Sequence, residues 1–438
     1  MPTLRPEQLA AAAEISKVST LLLADVGAGK TATALSALNL YRPHARTLVL
    51  GTKRICESVW PEEVAKWAPG LRYACVAGLS EQKRIALIED ESIDIIGLNY
   101  ENLIWAVECF GTDLPVFFPN LIPDESSKLE NPKSKSFKAI KPLLPLFQWR
   151  LPMTGTPRAN HLSDLWGNAY LADLGAALGD YKEAFMQCFF HQIHRRVGLD
   201  WIPLHGAEEE IYERLKPTVY RMPFEWHKPV EIDVVLPLNG TVKNIQSQID
   251  KALKEDLNVT LCGVTYARDG NRVNAKMLQL SSGFVYDDEG NVQNIHEDKI
   301  KALKDIVSEA HGEPIMVVFE FIHERDAILA AFPQARILDG PDTLAAWNEG
   351  KIEMLLVHPL SCGHGLNAQF SGCDLQVWFT PTTDAELYGQ TVGRLNRPGN
   401  PKTIRVMRLI MQGTKDRAAY NVVAARQKGE HATLDAFE

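Results

Sequence analysis

The chain has no apolar run approaching the ~20 residues needed to cross a bilayer, which excludes a helical membrane span. It has no Cys-x-x-Cys pair, because its seven cysteines (56, 75, 109, 188, 262, 362 and 373) are scattered over 438 residues. That scatter argues for a reducing compartment and against structural zinc. His191 and His194 form an H-x-x-H without an acidic residue at ligand spacing, so no metal site is expected there. The opening MPTLRPEQLAAAAEI lacks a basic n-region and a long apolar core, so no secretory leader is expected. An excess of positive charge is missing too: 46 Lys and Arg against 55 Asp and Glu leave a net charge of −9. Total charge therefore does not favour a nucleic-acid partner, and local basic patches must decide. What remains is an ordinary globular composition, 45% hydrophobic and 23% charged, long enough for two or three domains.

The stretch Leu21-Leu22-Leu23-Ala24-Asp25-Val26-Gly27-Ala28-Gly29-Lys30-Thr31 is the strongest local signal in the chain. Three leucines predict a buried parallel strand, and Thr31–Leu40 has the small and apolar residues of a packed helix. A glycine loop between strand and helix presents backbone N–H groups and a helix N-terminus to phosphate oxygens. Gly27 and Gly29 would line it, Lys30 would reach the β- and γ-phosphates, and the Thr31 hydroxyl would ligate Mg²⁺. Ala24 stands where the strict G-x-x-x-x-G-K-[ST] pattern has its first glycine.

Strands and helices alternate beyond the loop, the signature of a parallel doubly wound sheet. Strands are expected at Thr47–Gly51, Arg72–Ala77, Ser92–Leu98 and Val116–Pro123, with a helix from Ser58 to Trp67. Pro119 and Pro123 mark the last of these strands as irregular or edge-like. Asp124-Glu125 follows it, where the carboxyl end of a buried strand meets ligands. Asp124 would hold Mg²⁺ and Glu125 would orient the attacking water. Thr154 and Thr156, in the turn after Arg150, are placed to hydrogen-bond this acidic pair. Lys128, Lys133, Lys135, Lys138 and Lys141 form a basic span beside it, fit either for solvent or for a phosphate backbone.

From Leu162 to Arg221 aromatic-rich segments (Leu165–Leu174, Tyr181–Ile193) predict helices, and strands are hard to find. Met222–Pro229 reads as a linker. A second strand–helix series comes next, with strands at Ile315–Phe319, Arg336–Asp339, Met354–His358, Gln376–Thr380 and Ile404–Ile410. No glycine phosphate loop recurs in it, so the nucleotide of the first domain would be shared with the second. Gln390, Arg394 and Arg397 are spaced by four and three, which predicts one helical face. Arginines offered to a nucleotide stabilise phosphoryl-transfer charge.

The order of these elements resembles superfamily-two helicases, and most nearly the Swi/Snf-type DNA translocase branch with its compact phage-encoded members. Arg5-Pro6-Glu7-Gln8 resembles the adenine-reading glutamine motif, and Ala24–Thr31 the family's phosphate loop in its A-x-x-G-x-G-K-T form. Thr52-Lys53 with the Trp60-Pro61 run, and Gly97-Leu98-Asn99-Tyr100, resemble the next two motifs. Asp124–Ser127 and Thr154–Pro157 resemble motifs II and III; Gly363–Gln369 and Gln390–Arg397 resemble V and VI. Lys299–Leu303 and Val317–Phe319 resemble the opening of the second lobe, and Gly413-Thr414-Lys415-Asp416 the terminal G-T-x-D. One departure stands out: Ser126-Ser127 replaces the usual Ala-His of motif II.

The resemblance implies an α/β chain of two tandem RecA-like parallel-sheet lobes, with a helical extension on the first. Its expected limits are 1–161 for lobe 1, 162–228 for the extension and linker, and 229–438 for lobe 2. It implies an ATPase whose cofactors are ATP and Mg²⁺. Gln8 would read adenine, Gly27, Gly29, Lys30, Thr31 and Gln390 would bind nucleotide, and Thr31 with Asp124 would hold the metal. Lys30, Asp124, Glu125, Arg394 and Arg397 would be catalytic. Lys53, Arg54, Lys128, Lys133, Lys135 and Arg158 would contact nucleic-acid phosphates, with duplex DNA as the expected partner. A monomer in a bacterial or phage-infected cytoplasm is expected. An RNA helicase and an ATP-dependent clamp or switch are the alternatives. Strand separation would need a wedge, and no β-hairpin insertion is evident in the sequence.

Overall fold

A computed structural model describes residues 3–437 except 26, 42–44, 158–160, 195–198, 225–226, 255–258, 262–263, 267–269, 287–290 and 363–366. The chain divides into two compact units, Met1–Glu225 with Lys428–Glu438, and Trp226–Gln427. Both are of the parallel α/β class that the alternating pattern predicts.

Unit 1 carries two parallel sheets. The first contains β1 (Leu21–Leu23), flanked by β7 (Met153–Thr154) and β10 (Val219–Arg221). The second has the order β3-β4-β2-β5-β6, from Tyr73–Cys75, Ile95–Asn99, Thr47–Gly51, Asn120–Pro123 and Trp149–Arg150. An isolated parallel bridge between Asp124 and Met153 joins them, so the ends of β1 and β5 lie in one continuous surface. Successive residues of β2 serve opposite cores: Leu48 and Leu50 pack in one apolar cluster and Val49 in another. A strand buried on both faces needs an unbroken apolar run, which is why Leu21–Leu23 and Leu48–Leu50 are legible as strands.

Several expectations are corrected here. Val116 and Phe117 are helical (Leu114–Phe117), and the strand begins only at Asn120. That strand is interior rather than edge-like, pairing with both β2 and β6. The prolines are tolerated because Pro119 precedes the first paired residue and Pro123 is the last. The stretch 162–228 is not purely helical. Helices Leu165–Asp173, Lys182–Phe189 and Ala207–Leu215 are joined by an antiparallel hairpin, β8 (Phe190–His194) with β9 (Leu199–Pro203). The expected helix through Ile193 thus stops at Phe189, and the expectation that no hairpin insertion exists is overturned.

Unit 2 is built on a six-stranded parallel sheet of order β11-β20-β19-β16-β18-β17. In chain order these are Val230–Leu236 (β11), Ile315–Val318 (β16), Arg336–Ile337 (β17), Met354–Val357 (β18), Leu375–Trp378 (β19) and Arg405–Met411 (β20). Between β11 and β16 lie two small antiparallel pairs, β12 (Val259–Leu261) with β13 (Val264–Tyr266), and β14 (Phe284–Tyr286) with β15 (Val292–Asn294). Two of the motifs noted in sequence meet inside this unit. The Lys299 ammonium lies 2.9 Å from Asp416 Oδ2, both side chains fully buried. Ser281 Oγ and the Met411 N–H also donate to the Asp416 carboxylate. A buried pair completed by further donors fixes geometry, and loss of one partner typically costs about 3–5 kcal/mol.

The helix Lys415–Asp435 begins in unit 2, and the residues from Lys428 onward belong to unit 1. There Leu434 is buried with Leu21, Leu23 and Ala172, and the Thr433 hydroxyl lies 2.9 Å from the Tyr212 hydroxyl. The Phe437 ring meets Tyr212 edge-on at 5.6 Å. The end of the chain therefore packs on the strand that feeds the glycine loop. Leu434→Ala is expected to lower stability by about 2–5 kcal/mol, the range for truncating a buried leucine. Chemical denaturation followed by circular dichroism measures it; an unchanged midpoint would show that this contact contributes nothing.

Candidate nucleotide site

β1 ends at Leu23 and the helix α2 (Lys30–Tyr41) starts after only six intervening residues, so the connecting loop must turn tightly. Gly27 (φ 86°) and Gly29 (φ 87°) supply the left-handed backbone that this requires. Gly29 is also needed for space, since a Cβ there would sit 2.3 Å from Gln8 Nε2. Gln8 lies on the helix α1 (Pro6–Ile15), is buried, and has both ends of its amide engaged. Its Oε1 accepts from the Arg5 N–H at 2.9 Å, and its Nε2 donates to Ala28 O at 3.3 Å. The structure thus places Gln8 against the glycine loop, with the Arg5 guanidinium bonded to the same carbonyl.

Lys30 Nζ donates to Ala24 O at 2.9 Å and to Asp25 O at 3.4 Å, so its ammonium folds over the loop. On the other side Arg221, at the end of β10, pairs with Asp25 at 2.7 Å. Sequence reasoning misses Arg221. Its register beside Leu23 in the parallel ladder brings it to the loop, and no local pattern announces that.

Asp124 follows β5. Its N–H donates to Leu50 O at 2.7 Å, and its main-chain O accepts from the Tyr100 hydroxyl at 2.8 Å. Its carboxylate accepts from the Trp60 indole N–H at 2.9 Å. Burial, and then the neighbouring Glu125, push the Asp124 carboxyl up to about 6, while the Trp60 hydrogen bond and Lys30 pull it down. Glu125 sits in the left-handed region (φ 62°), which a non-glycine residue adopts only when its surroundings hold it. The Tyr100 hydroxyl, 3.3 Å from Glu125 O, is part of that hold.

Ser126, in the position of the departure from the family pattern, is fully buried and donates to Asn168 Oδ1 at 2.6 Å. Asn168 Nδ2 in turn donates to Glu130 Oε2 at 2.8 Å and to Pro157 O at 3.3 Å. One buried amide therefore ties the acidic turn to the Thr154–Pro157 turn. The threonines themselves bond each other: the Thr156 N–H donates to Thr154 Oγ1 at 3.0 Å. Among the described residues neither hydroxyl reaches Asp124 or Glu125, so the expected contact to the acidic pair is corrected.

The donor set suits a magnesium–triphosphate group: a hydroxyl at Thr31, a carboxylate at Asp124, and the loop N–H groups. Mg²⁺ takes hard oxygen donors, commonly one or two carboxylates with substrate phosphates, not a dedicated protein cage. Among the described residues there is no cluster of three or more His, Cys, Asp or Glu that could hold a metal ion.

Gln390, Arg394 and Arg397 lie in unit 2, but not on one helix. The helix Ala385–Val392 ends at Gly393, so only Gln390 is on it, donating to Glu386 Oε1 at 2.9 Å. Arg394 is buried in the turn beyond it, and Arg397 Nη1 donates to Asn367 Oδ1 at 3.2 Å. That bond ties the arginine turn to the end of the Gly363–Gln369 motif, whose residues 363–366 lie outside the described ones. Of the expected phosphate contacts, Lys53, Lys128, Lys133 and Lys135 are exposed and Arg54 is half-buried; Arg158 lies outside the described residues. Lys53 has Glu57 3.7 Å away. Lys141 is used within the fold, its ammonium 4.6 Å from the Tyr170 ring centre and bonded to Asp180 O.

A family model described as the SNF2-related domain matches residues 8–261. Putative protein p41 of Acyrthosiphon pisum secondary endosymbiont phage 1 is 32% identical, covering 94% of this chain and 92% of that protein. The mouse SWI/SNF-related matrix-associated actin-dependent regulator of chromatin subfamily A member 1 is 24% identical, over 91% of this chain. An uncharacterized ATP-dependent helicase of Mycoplasma pneumoniae is 24% identical, over 96% of this chain. The chain spans 40% and 41% of the length of these last two. Among solved structures, the Sulfolobus solfataricus SWI2/SNF2 ATPase core in complex with dsDNA matches all of this chain and 94% of its own, with TM-score 0.45 and 20% identity.

Proposed function

Since the chain belongs to the SNF2-related family of helicase-like ATPases, we propose that it hydrolyses ATP to move along double-stranded DNA. One observation carries this reading: the glycine loop with Lys30 and Thr31, and the Asp124–Glu125 turn, stand at the carboxyl ends of β1 and β5, strands joined through the Asp124–Met153 bridge. That is where an open parallel α/β sheet binds ligands.

In this reading the loop N–H groups and Lys30 hold the phosphates, and Thr31 and Asp124 hold Mg²⁺, which neutralises charge on the transferring phosphoryl group. Glu125 orients the attacking water. Binding of the triphosphate draws Lys30 off the carbonyls of Ala24 and Asp25, exchanging two neutral acceptors for charged ones. Arg394 and Arg397, from the second lobe, stabilise charge in the transition state, and Gln390 supports the nucleotide. Gln8 joins the loop to the base. Lys53, Arg54, Lys128, Lys133, Lys135 and Arg158 meet phosphates, so binding is largely independent of sequence and weakens with salt.

The test compares ATP hydrolysis without nucleic acid, then with duplex DNA, single-stranded DNA and RNA. It then asks whether ATP lets the protein displace a triplex-forming strand. Stimulation by duplex DNA with displacement is expected. Stimulation by RNA alone, or hydrolysis without displacement, would overturn movement along duplex DNA. Glu125→Gln is expected to keep ATP affinity while turnover stalls, measured by a nucleotide titration beside a steady-state rate. Equal loss of both would make Glu125 a binding or structural residue.

A second reading, strand separation, is favoured by the β8–β9 hairpin, because hairpins can serve as wedges. Unwinding of a forked duplex, with and without residues 191–202, distinguishes the two.

A further inference from the structure

The helix that enters Trp60 is not a regular one. It contains a π-turn over Ile55–Val59, closed by the Trp60 N–H donating to Ile55 O, before α3 (Trp60–Trp67) resumes. Pro61 gives the reason. It has no N–H to donate, and in a regular α-helix its ring would strike the carbonyl four residues earlier. Widening the preceding turn by one residue relieves that conflict and rotates the helix beyond it. The fully buried side chain of Trp60 is thereby brought against Asp124, 64 residues away in the chain, with the indole N–H 2.9 Å from Oδ2.

The two ends of Asp124 are thus restrained by different elements. Its backbone is set by Leu50 O and the Tyr100 hydroxyl, and its carboxylate by Trp60. A carboxylate that must meet a metal and is otherwise free to rotate loses affinity to that freedom. Neighbours that hydrogen-bond a ligand carboxylate typically hold metal affinity about 10–100-fold higher than it would otherwise be.

We propose that Trp60 is a positioning residue, whose indole N–H orients the Asp124 carboxylate for magnesium–ATP. The inference rests on the reading of Asp124 as the metal-binding carboxylate. It makes the proline-induced π-turn a functional device, since a regular turn would present another side chain to Asp124. Because Lys53 and Arg54 begin the same helical segment, the device also ties a proposed phosphate contact to the metal site.

The experiment is a Mg²⁺ titration of fluorescent ATP-analogue binding to the full chain, with the thermal midpoint of the metal-free protein measured alongside. Trp60→Phe keeps an aromatic ring and removes the donor. It is expected to raise the half-saturating Mg²⁺ concentration about tenfold or more, within the range for such neighbours. Trp67→Phe is the control on the same helix, because the Trp67 indole N–H is buried and has no partner among the described residues. It is expected to leave the titration unchanged. If Trp60→Phe does not fold, benzothienylalanine at position 60 preserves the bicyclic shape with sulfur in place of N–H. A wild-type Mg²⁺ dependence in the folded variant, or a lowered midpoint with no change in that dependence, overturns the inference. Asp124→Asn separates the two levels: if it too keeps wild-type Mg²⁺ dependence, the metal-site reading itself fails. If Asp124→Asn loses it and Trp60→Phe does not, only the role of Trp60 fails.

Discussion

Replacing Lys30 with alanine is expected to eliminate measurable ATP hydrolysis while leaving the protein folded. Lys30 is the first residue of α2, and its ammonium is held by the carbonyls of Ala24 and Asp25. Neither contact is a core contact, and alanine is the best helix former, so the helix survives. What is lost is the only side-chain cation that the loop itself provides between Ala24 and Thr31. Even a single neutral donor aimed at developing charge is worth ~10²–10³ in turnover, and a full charge in a water-poor site exceeds that. Steady-state phosphate release, with an unchanged thermal midpoint, is the measurement. Turnover near the wild-type rate would remove this loop from the catalytic account.

The loop is legible in the sequence because its demands are local. Glycines with positive φ, a lysine and a hydroxyl must come within a few residues of a buried strand, and all of them are consecutive in the chain. The central strands of the parallel sheets are legible for a similar reason, since strands buried on two faces are written as unbroken apolar runs, whereas β10 and β11, which are not buried on two faces, escape the reading. Where the reading fails, a local pattern has two meanings. Phe117 and Phe118 are as apolar as a strand, yet Pro119 stops pairing from starting before Asn120. Tyr181–Ile193 has aromatic spacing suited to a helix, but from Phe190 the chain is extended and pairs in a hairpin. The spacing of Gln390, Arg394 and Arg397 suits a helix, although Gly393 ends it before either arginine.

Contacts between distant segments are beyond the sequence altogether. The bonds Trp60–Asp124 and Arg221–Asp25, and the Ser126–Asn168 pair, depend on register and on which faces meet. The last of these is instructive. Serine in place of the usual alanine of motif II is a departure that sequence marks but cannot explain. The structure supplies a partner in Asn168, so the hydroxyl is satisfied rather than stranded in the core.

Arg394→Ala and Arg397→Ala are each expected to slow ATP hydrolysis by ~10³ or more, the range for arginines that complete a phosphoryl-transfer site. The correction to their geometry strengthens the expectation. On an open helical face they would be long, mobile side chains, whose ordering entropy opposes catalysis. Instead Arg394 is buried in the turn after Gly393, and Arg397 is tied to Asn367 at 3.2 Å. Guanidinium groups held in advance lose little on engaging a phosphate, which is the condition for a large electrostatic contribution. In the proposed role the arginines act on the transition state, so turnover is expected to fall while ATP affinity changes little. Single-turnover hydrolysis and equilibrium binding of an ATP analogue, measured on the full chain, separate the two. Arg397→Lys refines the test: it keeps the charge but not the planar fork, and an intermediate rate is expected. Equal loss of binding and rate in the alanine variants would make the arginines ground-state contacts. Wild-type turnover in both would show that the second lobe supplies no charge to the reaction.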